Sequence, residues 1–194
     1  MKGFKKVFVL LMFPSLAIAQ STKELNFQNT AKTVVQRLVS RDSAGLNKLI
    51  DTTIGVYILY RIGVQDNYKQ YRSINFKDSA YPNAPFYEDV KLTKLEYASL
   101  PTFDCATSKW KKYGSFVDTT KTDQLLSKTA RRLVLYKKKK ITPKTIQSLV
   151  DLESRSRRII VANKNGKDVV FYLTFMNNKW YLTIIDKITT DCSV

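Results

Sequence analysis

The stretch that decides the fold is residues 158–186, RIIVANKNGKDVVFYLTFMNNKWYLTIID. Three apolar runs in it are separated by two polar breaks, Asn165-Gly166 and Asn177-Asn178. An Asn-Gly pair between two such runs is a strong signal for a β-hairpin. The pattern therefore predicts an antiparallel three-stranded meander at the C-terminal end. Its strands are expected over 158–164, 168–176 and 179–186.

Helical patterns precede this meander. Apolar residues recur at helical spacing over 24–40 and over 123–136, and each stretch predicts an amphipathic helix. A shorter helix is expected over 44–50. Thr142 and Pro143 are typical of an N-cap and a first helical position, so they predict the start of a further helix.

Two more strands are predicted before the central helices, at 56–61 and at 91–100, and the polar, aromatic stretch 65–87 is expected to be mostly loop. The sum is an α+β domain. Its N-terminal helices and a central helical pair pack on an antiparallel sheet that ends in the C-terminal meander. This order of elements is compatible with a cone-shaped, NTF2-like fold.

Residues 1–19 have the features of a secretory signal peptide. A lysine-rich start is followed by an apolar run over 7–13 and by the small-x-small pattern Ala17-Ile18-Ala19. The alternative is a membrane anchor, but a helical span needs about 20 apolar residues, and this run is much shorter. We expect cleavage after Ala19, which leaves 20–194 as a single α+β domain, soluble in the periplasm or secreted.

The cysteine and histidine content excludes several classes of site. The chain has two Cys and no His, so His-ligated zinc, Ser-His-Asp triads and Cys-His pairs cannot form within it. Cys105 and Cys192 are expected to form a disulfide in an oxidising compartment, and two buried free thiols are the alternative. No glycine-rich phosphate loop or calcium loop occurs, so no metal or cofactor is expected.

The positive charge is concentrated in one block. Residues 110–167 hold 16 of the 33 Lys+Arg residues and 4 of the 16 Asp+Glu residues. Such a field attracts lipopolysaccharide, acidic polysaccharide, anionic lipid or extracellular DNA, whereas the alternative is a set of solvated helix faces. No motif for specific nucleic-acid recognition accompanies the charge. The candidate anion-binding residues are Arg131, Arg132, Lys137, Lys138, Lys139, Lys140, Arg155, Arg157 and Arg158.

Aromatic residues are concentrated between positions 57 and 103. They are candidates for an apolar pocket or a stacking surface for sugars or a partner chain, and the alternative is that they belong to the core. The candidate pocket residues are Tyr57, Tyr60, Tyr68, Tyr71, Tyr87, Tyr97 and Phe103.

No catalytic motif is present, so the leading prediction is a non-enzymatic binding or interaction protein with a basic surface. One alternative is a carboxylate-dependent hydrolase acting on envelope glycans, which needs two acids held about 5–10 Å apart. The acids available for it are Asp66, Glu88, Asp89, Glu96, Asp104 and Asp118. Substitution of Glu88, Asp89, Asp104 and Asp118 by the amides would test this alternative. The other alternative is a small-molecule-binding, NTF2-like domain.

Three stretches carry a resemblance to known proteins. They are GVYILYRIGVQDNYKQYRSINF (55–76), SLPTFDCATSKW (99–110) and FYLTFMNNKWYLTIIDKITTDCS (171–193). With a leader ending in AIAQ, the chain resembles uncharacterised secreted proteins of Bacteroidetes-type bacteria. The resemblance carries no catalytic signature. It implies an envelope or extracellular setting and a bridge between Cys105 and Cys192.

Overall fold

A computed structural model describes residues 15–78, 87, 89–120, 124–137 and 140–193, with the backbone alone at 15–19 and 137. The expected α+β class is confirmed. Most of the expected signal peptide, together with Lys138, Lys139 and Glu88, lies outside the described residues. In chain order the elements are α1 (Ser15–Val39), α2 (Ser43–Asn47), β1 (Val56–Ile62), β2 (Gln65–Tyr71), β3 (Leu95–Ala98), β4 (Phe103–Asp104), β5 (Lys109–Trp110), β6 (Gly114–Asp118), α3 (Leu125–Lys137), α4 (Pro143–Ser154), β7 (Ser156–Ala162), β8 (Asp168–Met176) and β9 (Lys179–Asp186).

Seven strands form one sheet in the order β2-β1-β9-β8-β7-β6-β3. The strands β7, β8 and β9 pair antiparallel in sequence order. The prediction of a wholly antiparallel sheet is wrong for two pairs, because β1 runs parallel to β9 and β3 runs parallel to β6. Each parallel pair joins strands that are separated along the chain by other elements, and local residue patterns do not encode such pairings.

The two predicted turns of the meander have the backbone that hairpins require. Asn177 and Asn178 have φ values of 49° and 60°, in the left-handed region that asparagine tolerates. Gly166 has a φ of 75° in the other turn. Strands β8 and β9 have the predicted bounds, whereas β7 runs from Ser156 to Ala162. It ends there because the Asn163 carbonyl accepts the Gly166 N–H at 3.2 Å, which closes a turn over residues 163–166.

The prediction of a loop over 65–87 is wrong in its first part, where β2 pairs with β1 along seven residues. Strand β2 is an edge strand, and two of its polar residues, Lys69 and Gln70, are exposed to water. Edge strands tolerate polar and charged side chains, so apolar alternation is weak in them. Asn67 is the residue of this strand that is buried.

Helices α1 and α2 cover one face of the sheet. The helix α1 begins at Ser15, upstream of the expected start at 24, and ends at Val39. Phe27 and Leu38 of α1 are fully buried against Phe171 and Leu173 of β8. The apolar stripe predicted for this helix is therefore the core-facing side.

Helices α3 and α4 cover part of the opposite face. The predicted cap of α4 is confirmed, because the Thr142 hydroxyl accepts the Thr145 N–H at 3.1 Å. The buried Glu153 carboxylate accepts the backbone N–H groups of Leu126 and Ser127, at 2.7 and 3.1 Å. Helix α4 thus caps the first turn of α3, where backbone donors lack partners within the helix. Burial raises the pKa of Glu153 even though these N–H groups lower it.

Candidate functional site

A groove of about 570 Å³ lies beside α3 and α4 on the same face of the sheet. The two-residue strands β4 and β5 form one wall, and the turn between β7 and β8 forms the other. Thr190, from the segment that follows β9, completes the lining. These parts are far apart in sequence, so the groove exists only in the folded chain.

The Cys105–Cys192 disulfide holds the hairpin wall in place. The predicted bridge is confirmed, with a Cα–Cα separation of 5.5 Å. It joins the β4–β5 turn to the C-terminal segment, across 87 positions of sequence. A wall of two short strands has little intrinsic stability, so we assign the tethering of this wall to the disulfide.

Trp110 forms the floor of the groove and packs the hairpin onto the sheet. Its ring is buried against Ile160, Ala162 and Val170. Phe103 meets the Trp110 ring edge to face, with 5.3 Å between ring centroids. This packing leaves Phe103 half-buried at the wall, where an aromatic face is available to a ligand.

The Trp110 indole N–H donates to the Asp168 carboxylate at 2.9 Å. Burial raises the pKa of Asp168 and the nearby Asp186 carboxylate raises it further, while the indole hydrogen bond lowers it. Asp168 is the first residue of β8 and lines the groove. The indole therefore satisfies one oxygen of a carboxylate that is poorly solvated.

Lysines surround this single carboxylate. Lys109 and Lys164 line the groove and are exposed. Lys111, Lys112 and Lys167 lie within three residues of these two lysines along the chain and are also exposed. The rim consequently has a positive field, in which the lysine chains are free to extend toward an anionic ligand.

A buried ion pair lies behind the groove. The Arg158 guanidinium donates to the Asp186 carboxylate at 2.7 Å, with both side chains almost inaccessible to water. The Asp186 carboxylate also accepts the N–H groups of Ile188 and Thr189, each at 3.0 Å. Because these bonds fix the chain just after β9, they direct the C-terminal segment toward Cys192.

The structure divides the candidate anion-binding residues. Arg131, Arg132, Lys140 and Arg155 are exposed, and Lys137 is described by its backbone alone. Arg158 is buried in the ion pair, so it is not part of an exposed surface. Successive strand residues point to opposite faces, so the preceding Arg157 lies on the α1 side, where it donates to Glu24 at 2.7 Å.

The structure places the candidate pocket aromatics in different parts of the fold. Tyr57 and Tyr68 pack together below α3, with ring centroids 6.0 Å apart. Tyr71 and Tyr87 pack against the core on the α1 side. Tyr60 is partly buried on β1, Tyr97 donates to Glu24 of α1, and Phe103 alone lines the groove.

The candidate acids of a hydrolase are also separated. Asp104 accepts the Ala106 N–H in the β4–β5 turn, and Asp118 is buried and accepts the Thr120 N–H. Asp89 is exposed. None of these three lines the groove, and among the described lining residues Asp168 is the sole carboxylate.

Sequence reasoning missed Trp110 and Asp168, the two residues that are most informative about the groove. Asp168 lies two residues after Gly166 of the Asn-Gly turn and opens the strongest predicted strand, which places it at the end of the sheet. No local signal pairs it with Trp110, which is 58 positions away.

Within the described ranges, no cluster of three or more Asp, Glu or Cys residues is arranged to hold a metal ion. None of the helices in that part of the chain combines the length and hydropathy that a membrane span requires.

Comparison with family models, with curated proteins and with solved structures gave no match to this chain.

Proposed function

We propose that this chain is an exported, non-enzymatic binding protein whose groove holds an acidic saccharide of an envelope or extracellular polymer. The observation that carries the proposal is the groove itself, in which aromatic side chains and two exposed lysines surround the buried Trp110 and its partner, the half-buried Asp168. Its volume of about 570 Å³ is in the range of pockets that hold small ligands.

The chemistry of the lining fits a sugar with a negative charge. Tyr113 is 39% exposed and offers a ring face to the apolar side of a sugar ring. Asn163 and Asn165 offer amide groups for hydroxyls. Lys109 and Lys164 supply charge for a carboxylate or sulfate.

Export accounts for the disulfide, because such bonds persist in oxidising compartments. The described contacts of α1 lie downstream of Ala19, so processing at that position leaves them intact. The Trp180 indole donates to the Lys23 carbonyl at 3.1 Å, and Phe27 meets the Trp180 ring at 4.9 Å. The periplasm and the extracellular space are equal candidates for this setting.

Binding is favoured over hydrolysis because glycoside cleavage by two acids needs a second carboxylate about 5–10 Å from the first. Asp186 lies near Asp168, but it is buried and occupied by Arg158. The alternative is an NTF2-like cone that holds a ligand between helix and sheet, and it is supported by the position of α1 across one face of the sheet. Phe27, Phe171 and Leu173 fill that interface, so the groove is the stronger candidate.

The test is titration with a heparin-derived oligosaccharide, whose sulfates stay ionised across the pH range. We expect Lys109→Ala with Lys164→Ala to weaken binding about tenfold, or ~1.4 kcal/mol. The matched control is Lys48→Ala with Lys179→Ala. These two lysines are also exposed and adjacent, and they lie at the opposite end of β9. Equal losses in both pairs would indicate a diffuse field and would contradict a groove site.

A further inference from the structure

A second surface lies at the same end of the sheet as the groove. The strand register sets Leu59 of β1 and Val170 of β8 beside Asp186, so the β1–β2 turn and the β7–β8 turn project from one end. The Ser193 hydroxyl donates to the Gly63 carbonyl at 3.2 Å, which brings the C-terminal segment against the β1–β2 turn. The α3 helix packs along this hairpin.

Large apolar side chains are exposed here in unusual number. Ile62 and Val64, at the hairpin tip, are 62% and 78% exposed, and Leu135 and Tyr136 of α3 are 73% and 76% exposed. Val64 and Tyr136 line the same cavity of about 400 Å³. The hairpin tip and the last turns of α3 therefore form one apolar patch, and such patches mark interaction sites.

Cations border this apolar patch. Lys128, Arg131 and Arg132 are exposed on the same side of α3 as Leu135 and Tyr136, at spacings of three and four residues. Asp66, the carboxylate that lines the cavity, is paired with Arg61 at 2.8 Å and with Arg132 at 3.4 Å. The local acid is thus neutralised, and Lys128 and Arg131 add positive charge to the patch.

We propose that this apolar patch docks on the surface of an anionic lipid bilayer. The apolar tips of the hairpin and of α3 enter the interface, and Lys128 and Arg131 lie against the lipid phosphates. Peripheral attachment of this kind depends on buried apolar area together with attraction to anionic lipid. A second copy of the chain is a poorer occupant, because a symmetric contact would bring the same cations together.

The experiment is co-sedimentation of the full chain with vesicles of phosphatidylcholine alone and of phosphatidylcholine mixed with phosphatidylglycerol. We expect preference for the anionic vesicles and loss of binding as ionic strength rises from about 0.1 M to about 0.5 M. The variant V64S/L135S/Y136S should bind those vesicles at least about tenfold more weakly. These positions are exposed, so the substitutions should leave the fold intact.

Leu25→Ser is the matched control, because Leu25 is 58% exposed at a position remote from the apolar patch. The triple variant should retain binding of the heparin fragment, which separates failure of this proposal from failure of the groove. Tyr136→Trp should give a blue shift of fluorescence on anionic vesicles, since the two native Trp side chains are buried. Equal binding by the triple variant would overturn the proposal. A dimer that forms without vesicles and that the triple variant abolishes would also overturn it. The same holds if heparin binds through the lysine and arginine side chains of this patch while vesicles do not bind.

Discussion

The Trp110 indole N–H lies 2.9 Å from an Asp168 carboxylate oxygen and joins a short disulfide-tethered hairpin to the central sheet. This bond explains how two short strands form one wall of a groove. It also leaves an acid with a raised pKa at the bottom of a lysine-rich site.

Replacing Trp110 with Phe should lower the free energy of unfolding by about 1–3 kcal/mol, because the poorly solvated carboxylate loses its donor. Urea denaturation measures the change. The double variant W110F/D168N should lose less than the sum of the two single variants, because the residues interact. Additive losses would show that the hydrogen bond has no energetic role.

The free energy of unfolding should depend on whether the Asp168 carboxyl is protonated. Its pKa is higher in the folded chain than its ordinary value of 3.8, so the folded state binds more protons in the range just above that value. The contribution of this group to the free energy of unfolding is therefore greatest in acid and falls as pH rises through the folded pKa. Asp168→Asn should remove that fall, and unfolding curves across this pH range would show it.

Ligand affinity should also rise on acidification. Protonation of Asp168 removes a negative charge from the groove, so a sulfated oligosaccharide should bind more tightly below the raised pKa. Asp168→Asn should bind more tightly at neutral pH and should lose the pH dependence. Calorimetric titration over the same range is the measurement, and a wild-type affinity that is constant with pH would contradict the expectation.

The C105S/C192S variant should unfold with a free energy about 2–4 kcal/mol below that of the wild type. The wild type in reductant should show the same loss, and reductant should not change the variant. We also expect weaker oligosaccharide binding, because the β4–β5 wall and the segment carrying Thr190 lose their tether. Unchanged stability and affinity would assign the bridge no structural role.

Arg158→Leu should cost about 3–5 kcal/mol, because it leaves the buried Asp186 carboxylate without its cation. Arg155→Leu is the matched control. Arg155 is exposed, so its loss should change the free energy of unfolding by no more than about 0.5 kcal/mol. Thermal or urea unfolding of the two variants compares a buried and an exposed arginine from the same basic block, and similar losses would contradict the account of the ion pair.

The local pattern of apolar, turn and capping residues was sufficient to predict the C-terminal meander and the helices. The Asn-Gly and Asn-Asn breaks fix both turns, and Thr142 with Pro143 fixes the start of α4. Strand β2 was missed because an edge strand needs little apolar alternation. The parallel pairing of β1 with β9 was missed because it depends on the path of the chain between them.

The groove was less accessible to sequence reasoning than the fold. Charge density drew attention to Arg157 and Arg158, yet strand alternation sends these neighbours to opposite faces of the sheet. The predicted strand began at Arg158 and left Arg157 outside it, whereas β7 begins at Ser156 and includes both arginines. The Trp110–Asp168 pair had no local signal, because a contact across 58 positions is set by the packing of β5 on the sheet.

The central claim is that the groove above Trp110 holds an acidic saccharide, and the indole resonances test it most directly. The chain has two Trp residues, and Trp180 lies on the α1 side with its indole bonded to Lys23. In ¹H–¹⁵N spectra titrated with the heparin-derived oligosaccharide, we expect the Trp110 indole signal to shift progressively while the Trp180 signal stays still. Saturable binding that moves neither indole, or moves Trp180 alone, would contradict the account.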